Sequence, residues 1–289
     1  MRLISVLVCL TVSSLWAQNE VRLSYTQVTP NLFMIEGVGG NMLLSRGKDG
    51  LFLVDDQVAS VSEKVAETVK AIEPGPIKFI INTHWHHDHT GGNAVFRNGG
   101  TLTVAHRKVR ERMQKENFTH ALNRKTPPSP EAALPVITFT REMRWYFNDE
   151  EIHIYHVGNA HTDGDSIVWF KSSNVIHMGD VFFNGLYPLI DYSSGGTMRG
   201  MIKAVKRVLK DTDSETKIIP GHGPIATKWD LIQYLEMLEE VGQKVRSMKK
   251  AGKTLAEIKE AAPTKKWDEI WGKKWLKPDE FVAIVYNAL

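Results

Sequence analysis

The feature that most restricts this chain is the run Thr83-His84-Trp85-His86-His87-Asp88-His89-Thr90-Gly91-Gly92-Asn93. Four potential metal ligands, His84, His86, Asp88 and His89, fall within six residues. Side chains alternate sides along an extended segment, so His84 and His86 share one side and can reach one ion. The chain then turns, which brings Asp88 and His89 within reach of a second ion. Imidazole and carboxylate ligands without thiolate suit zinc, and also manganese, cobalt or iron. The apolar run 77–81 just before the cluster reads as a buried strand, and Gly91-Gly92 after it lets the backbone turn sharply.

Three further groups sit where such a site would need them, each just after an apolar strand. His161 follows residues 152–156 within Gly158-Asn159-Ala160-His161-Thr162-Asp163-Gly164-Asp165. Asp180 follows residues 175–177, and His222 follows residues 217–219 within Pro220-Gly221-His222-Gly223. Loops at strand ends on a rigid sheet are where functional side chains collect.

The rest of the chain supplies enough elements for such a scaffold. Period-two alternation predicts a hairpin or meander over residues 25–36 and 41–44, and short strands over 51–54, 102–105, 136–139, 144–147 and 166–170. Helical spacing marks residues 61–72, 106–115, 201–209 and the chain from 229 onward. Pro127, Pro128 and Pro130 make residues 116–134 a long loop or lid. Two halves, each strand-rich then helical, suggest sheets packed face to face with helices outside.

In the order H-x-H-x-D-H, H, D, H, this set resembles the metallo-β-lactamase superfamily. The resemblance covers about residues 32–225 and implies an α/β fold, the four-layer αββα sandwich, with two metals at one edge. Carried over residue by residue, it implies His84, His86 and His161 on the first metal, Asp88, His89 and His222 on the second, and Asp180 bridging both. The subfamily with a cysteine ligand is excluded, because Asp180 holds that place. Flavodiiron oxidoreductases use a glutamate where this chain has His86, so redox chemistry is not expected. The loop from His161 to Ser166 and the stretch 187–196 look like secreted bacterial metallo-hydrolases.

The only cysteine, Cys9, lies in an N-terminal segment that reads as a secretory signal: Arg2, an apolar run over residues 3–10, and Ala17 before a cleavage point. The run is too short to span a bilayer, and no later stretch is long enough. The mature chain, residues 18–289, is then one domain with a helical segment from about 229 to 289. It has no thiolate nucleophile or ligand, and its place is the periplasm or the exterior. Net charge is +3, from 36 Lys and Arg against 33 Asp and Glu. That balance excludes a dedicated nucleic-acid binder.

The family mechanism follows from the metal pair. Two zinc ions sharing one water lower its pKa towards ~7 and polarise a carbonyl. Asp88 is the expected catalytic residue, aiming the attacking oxygen, and either Asp88 or a metal-bound water passes a proton to the leaving group. The expected substrate is a small molecule with a cyclic amide or ester, a β-lactam first. A lactone or thioester hydrolase, similar to the second glyoxalase step, is the alternative, and a non-catalytic metal or ligand binder the remote one. Around the cluster, Asp55 or Asp56 either supports a ligand imidazole or caps the next helix. Asp163 and Asp165 hold the His161 loop or serve its turn, and His177 reads as a satisfied strand histidine. His106, His120, His153 and His156 read as structural or surface groups. Tyr187 or Tyr192 could reach a substrate carbonyl or simply pack. Trp267, Trp271 and Trp275, spaced by four, form a docking stripe on a C-terminal helix.

Overall fold

A computed structural model describes residues 23–289. The signal segment, Cys9 and the cleavage point lie outside the described residues. The chain begins with strands β1 (Ser24–Thr29), β2 (Leu32–Glu36), β3 (Met42–Ser45) and β4 (Leu51–Val54), then α1 (Ser62–Ile72) and β5 (Ile77–Asn82). Next come α2 (His87–Thr90), α3 (Asn93–Asn98), β6 (Leu102–His106), α4 (Arg107–Met113), β7 (Asn117–Thr119), β8 (Arg124–Thr126) and β9 (Ile137–Phe139). The second half holds β10 (Glu142–Phe147), β11 (Glu150–His156), β12 (Ser166–Phe170), β13 (Val175–His177), α5 (Met198–Asp211) and β14 (Lys217–Ile219). It closes with α6 (Lys228–Lys250), α7 (Leu255–Glu260), α8 (Asp268–Trp271) and α9 (Pro278–Ala288).

Two sheets carry the fold. One runs β1-β2-β3-β4-β5-β6-β9 and the other β10-β11-β12-β13-β14. In the first, β4, β5, β6 and β9 are parallel, and in the second β13 and β14 are. The apolar strands are buried on both faces, as sheets covered on both sides must be. Leu32, Met34, Phe52 and Val54 meet Ile152, Ile154, Val168 and Phe170 between the sheets. The alternate residues Phe33, Ile35, Leu51 and Leu53 face outward onto Val65 and Val69 of α1 and Phe96 of α3. Tyr155, Ile167 and Ile176 face the opposite way, onto α5, α6 and α9. The layers are therefore αββα, as the resemblance implied. Period two along each strand serves two different cores at once.

Two local expectations fail. The 116–134 segment is not wholly loop: β7 and β8 pair antiparallel, closed through Asn123 in the left-handed region. The prolines that argued against strands begin only at Pro127, after the hairpin has ended. The tryptophan stripe does not lie on one helix. Trp267 caps the start of α8, Trp271 ends it, Gly272 terminates it, and Trp275 falls in the connection to α9. Among the described residues no helix is long and apolar enough to cross a membrane.

Candidate metal centre

The cluster is built at the carboxyl ends of the inner strands, where parallel strands β4 and β5 and β13 and β14 end side by side. The loop after β5 delivers His84 and His86, and α2 after it delivers Asp88 and His89. The loops after β11, β13 and β14 deliver His161, Asp180 and His222. All seven residues come together. His84, His86, His161 and Asp180 form one group and Asp88, His89 and His222 the other, with the ligand atoms of each within 4.8 Å.

The spacing inside each group is that of a metal's ligand shell. Ligands at ~2.0–2.1 Å from a tetrahedral zinc stand about 3.3 Å from one another. Here His86 Nδ1 lies 3.2 Å from His84 Nε2 and 2.9 Å from His161 Nε2. Asp180 Oδ2 lies 3.7 Å from His84 Nε2 and 3.4 Å from His161 Nε2. In the second group Asp180 Oδ1 is 3.1 Å from His89 Nε2 and 3.4 Å from His222 Nε2. Asp88 Oδ2 is 3.6 Å and 3.3 Å from the same two nitrogens. The two oxygens of Asp180 thus face different groups. His89 Nε2 and Asp180 Oδ1 are buried without a hydrogen-bond partner, a costly arrangement unless a cation takes them up. Backbone closes over the cluster where only glycine fits. A Cβ on Gly221 would lie 2.1 Å from Asp180 Oδ1, and one on Gly40 would enter the His89 ring at 2.0 Å. The donor set and its spacing therefore fit a divalent metal.

Four imidazoles are fixed by a partner on the far nitrogen, which leaves the other lone pair aimed inward. Asp55 Oδ2 accepts from His89 Nδ1 at 2.8 Å and from the Thr83 hydroxyl at 2.8 Å. Thr83 Oγ1 in turn sits 3.1 Å from His84 Nδ1. Asp55 Oδ1 accepts from the Thr83 amide at 2.7 Å, and the Asp55 backbone is held in the left-handed region at φ 59. His161 Nδ1 donates to the Leu189 carbonyl at 2.8 Å, and His86 Nε2 to Asp191 Oδ2 at 3.1 Å. Asp56 accepts from the Gly92 amide, so it supports the turn after the cluster rather than a ligand. Neither aspartate caps α1.

Burial and charge divide the metal-free cluster. Burial holds His84 well below the usual imidazole range, helped by the charge of His89, and it lowers His161 to about 4. Burial works the same way on His89 and His222, but the Asp180 and Asp88 carboxylates outweigh it. His89 is raised well above its ordinary value and His222 is pushed up to about 9. Burial opposes ionisation of Asp88 and Asp180, yet the surrounding imidazoles hold both well below the carboxylate range. In the first group His84 and His161 are thus held towards the neutral form, and the other group is an ion-paired set whose protons a metal would displace.

A cleft of about 410 Å3 opens onto the cluster. Its wall includes His86, Asp88, Asp180 and His222, with Trp85, Leu186 and Leu189, Arg124 from β8, and Trp275. Other sequence candidates fall elsewhere. The Tyr187 hydroxyl donates to Asp268 at 2.8 Å and its ring stacks on Phe281, so it packs and does not face the cleft. His177 Nε2 is satisfied by the Asn41 carbonyl. Asp163 pairs with Arg112, and Asp165 accepts from Thr162 within its own turn. His106 stacks on His156 with ring centroids 3.9 Å apart. Asp191, Thr83 and Trp275 were missed as site residues. An aspartate ending the apolar run 186–190 was the one available signal for Asp191.

The model of a family described as the metallo-beta-lactamase superfamily matches residues 35–226. The metallo-beta-lactamase IND-1 of Chryseobacterium indologenes is 23% identical over 176 residues, covering 61% of this chain and 68% of that protein. A type 2 metallo-beta-lactamase of Bacillus sp. (strain 170) is 20% identical over 205 residues, 71% of this chain and 74% of its own length. Among solved structures, a metallo-beta-lactamase from Pontibacter korlensis superimposes with a TM-score of 0.61 at 18% identity, covering 75% of this chain and 99% of that one. The stereoselective inverting sec-alkylsulfatase Pisa1 from Pseudomonas sp. gives 0.66 at 16% identity, over 92% of this chain but 50% of that one.

Proposed function

The chain belongs to the metallo-β-lactamase superfamily, whose members are typically metal-dependent hydrolases, and from that premise we propose an exported dinuclear zinc hydrolase that opens a cyclic amide or ester, a β-lactam first. The observation that carries the dinuclear reading is Asp180. Its Oδ2 faces His84 and His161 while its Oδ1 faces His89 and His222. One carboxylate thereby stands between two candidate ligand sets: His84, His86 and His161 would hold the first ion, and Asp88, His89 and His222 the second.

Two bound divalent cations supply Lewis acidity, acidifying water near neutral pH and polarising a carbonyl. The chain's own residues then do the steering. Asp88 is ionised, stands on the cleft wall beside His222 and can accept a hydrogen bond from the attacking water. That bond aims the oxygen's lone pair at the carbonyl carbon. The same carboxylate is placed to hand the proton on to the departing nitrogen or oxygen. No serine or cysteine nucleophile is required. Arg124 is the one lysine or arginine on the cleft wall among the described residues. It gives an anionic substrate, such as a β-lactam with its ring carboxylate, a partner.

The test is a substrate panel on the zinc-loaded protein: a chromogenic β-lactam, an acyl lactone, a thioester and a phosphodiester. The β-lactam is expected to turn over fastest. Preference for the lactone or thioester would move the assignment to those bonds, and turnover of none would overturn it.

A further inference from the structure

The cleft carries exposed apolar surface that neither metal binding nor the hydrolytic step uses. Val38 on the β2–β3 connection is 57% exposed, Leu122 on the β7–β8 hairpin 39%, and Trp275 between α8 and α9 40%, and all three line this one cleft. Three segments far apart in sequence each place a large apolar side chain at the mouth of the metal centre. Apolar side chains gathered at a cleft in this way mark a binding surface.

Trp275 is the anchored member of the three. Its ring stacks on Phe183 at 5.7 Å and 16°, and Phe183 stacks on His222 at 5.1 Å and 17°. The Trp275 and His222 rings are 6.2 Å apart. Phe183 is fully buried, and the Trp275 and His222 rings that pack on it both reach the cleft. The segment bearing Trp275 is pinned at both sides. The Tyr187 amide donates to the Trp271 carbonyl at 3.0 Å, its hydroxyl donates to Asp268, and the neighbouring Leu276 is buried. The wall is therefore formed in advance, which lowers the entropy cost of binding against it. Trp275 also lies beyond the residues that the family model matches, 35–226.

We infer that the substrate of this centre carries a bulky apolar, aromatic-sized acyl group that packs on Trp275. The inference rests on the proposed hydrolase reading, since a carbonyl at the metal centre places its acyl substituent within a few bonds of that ring. Val38 and Leu122 then cover the group from the other loops.

The test compares matched acyl pairs: benzylpenicillin against 6-aminopenicillanic acid, and N-phenylacetyl against N-acetyl homoserine lactone. Wild type should favour the phenylacetyl member of each pair in kcat/KM. In Trp275→Ala that preference should fall roughly tenfold, carried by KM with kcat nearly unchanged, while Trp275→Phe keeps most of it. Leu122→Ser, on a hairpin outside the core, should shift the preference in the same direction. Calorimetric binding of N-phenylacetylglycine against N-acetylglycine to the zinc-loaded protein reads the same preference without turnover. Failure of every substrate to react would thus sink the hydrolase reading while the acyl preference is still measured. An acyl preference absent in wild type, or equal in wild type and Trp275→Ala, overturns the inference.

Discussion

Replacing Asp55 by Asn tests how the chain aims its ligands. Asp55 is fully buried and touches no expected ion, yet its carboxylate holds Thr83 through amide and hydroxyl and holds His89 through Nδ1. Asparagine keeps the shape and tolerates the left-handed backbone at φ 59. Its carbonyl oxygen must stay on the Thr83 amide, because two donors cannot face each other across 2.7 Å. The NH2 then faces His89 Nδ1, which must accept rather than donate. The ring proton moves to Nε2, the atom aimed at Asp180 and Asp88, and that nitrogen can no longer ligate. Loss of such a supporting partner typically costs 10- to 100-fold in metal affinity, or about 1.4–2.7 kcal/mol. Competition titration of metal-free wild type and Asp55→Asn with a chromophoric zinc chelator, beside circular dichroism, reads the effect. The variant should stay folded and lose affinity mainly at the His89 set. Two sites of wild-type affinity in Asp55→Asn would refute the tautomer argument.

Further expectations follow from the same geometry. His86→Ala should release mainly the first ion and His89→Ala mainly the second, read by metal content per chain. Asp180→Asn should weaken one or both ions and cut turnover by orders of magnitude, and Asp180→Cys should shift preference towards cadmium in competitive metal binding. Gly40→Ala should disturb the His89 ring and lower metal occupancy, because the added Cβ enters the ring position. Metal affinity should rise with pH up to about 9, since His222, pushed up to about 9 in the metal-free protein, must give up its proton to bind. Proton release measured in two buffers by calorimetry checks the sign, and uptake of protons on zinc binding would contradict it.

Much of this architecture was legible in the sequence because the strands are short, apolar and punctuated by loops carrying chemistry. Strand-rich then helical halves suggested face-to-face sheets with helices outside, the resemblance implied the αββα sandwich, and the loops bearing His161, Asp180 and His222 stood out because each follows a buried strand. Two of the residues whose roles escaped detection, Asp191 and Asp55, depend on partners far along the chain. Asp191 reaches the cluster through His86, 105 positions away. Asp55 was weighed for two roles, and only the fold decides for Thr83 and His89. Trp275 looked like part of a helical stripe, although Gly272 and Pro278 on either side were signals that no single helix continues there. The β7–β8 hairpin was hidden by prolines just beyond it.

We propose that one carboxylate, Asp180, serves two metal sites. Elemental analysis of the purified chain after equilibration with excess zinc and removal of unbound metal tests it most directly. Two zinc ions per chain are expected in the wild type and fewer in Asp180→Asn. One ion at most in the wild type, or two undiminished in Asp180→Asn, would contradict it.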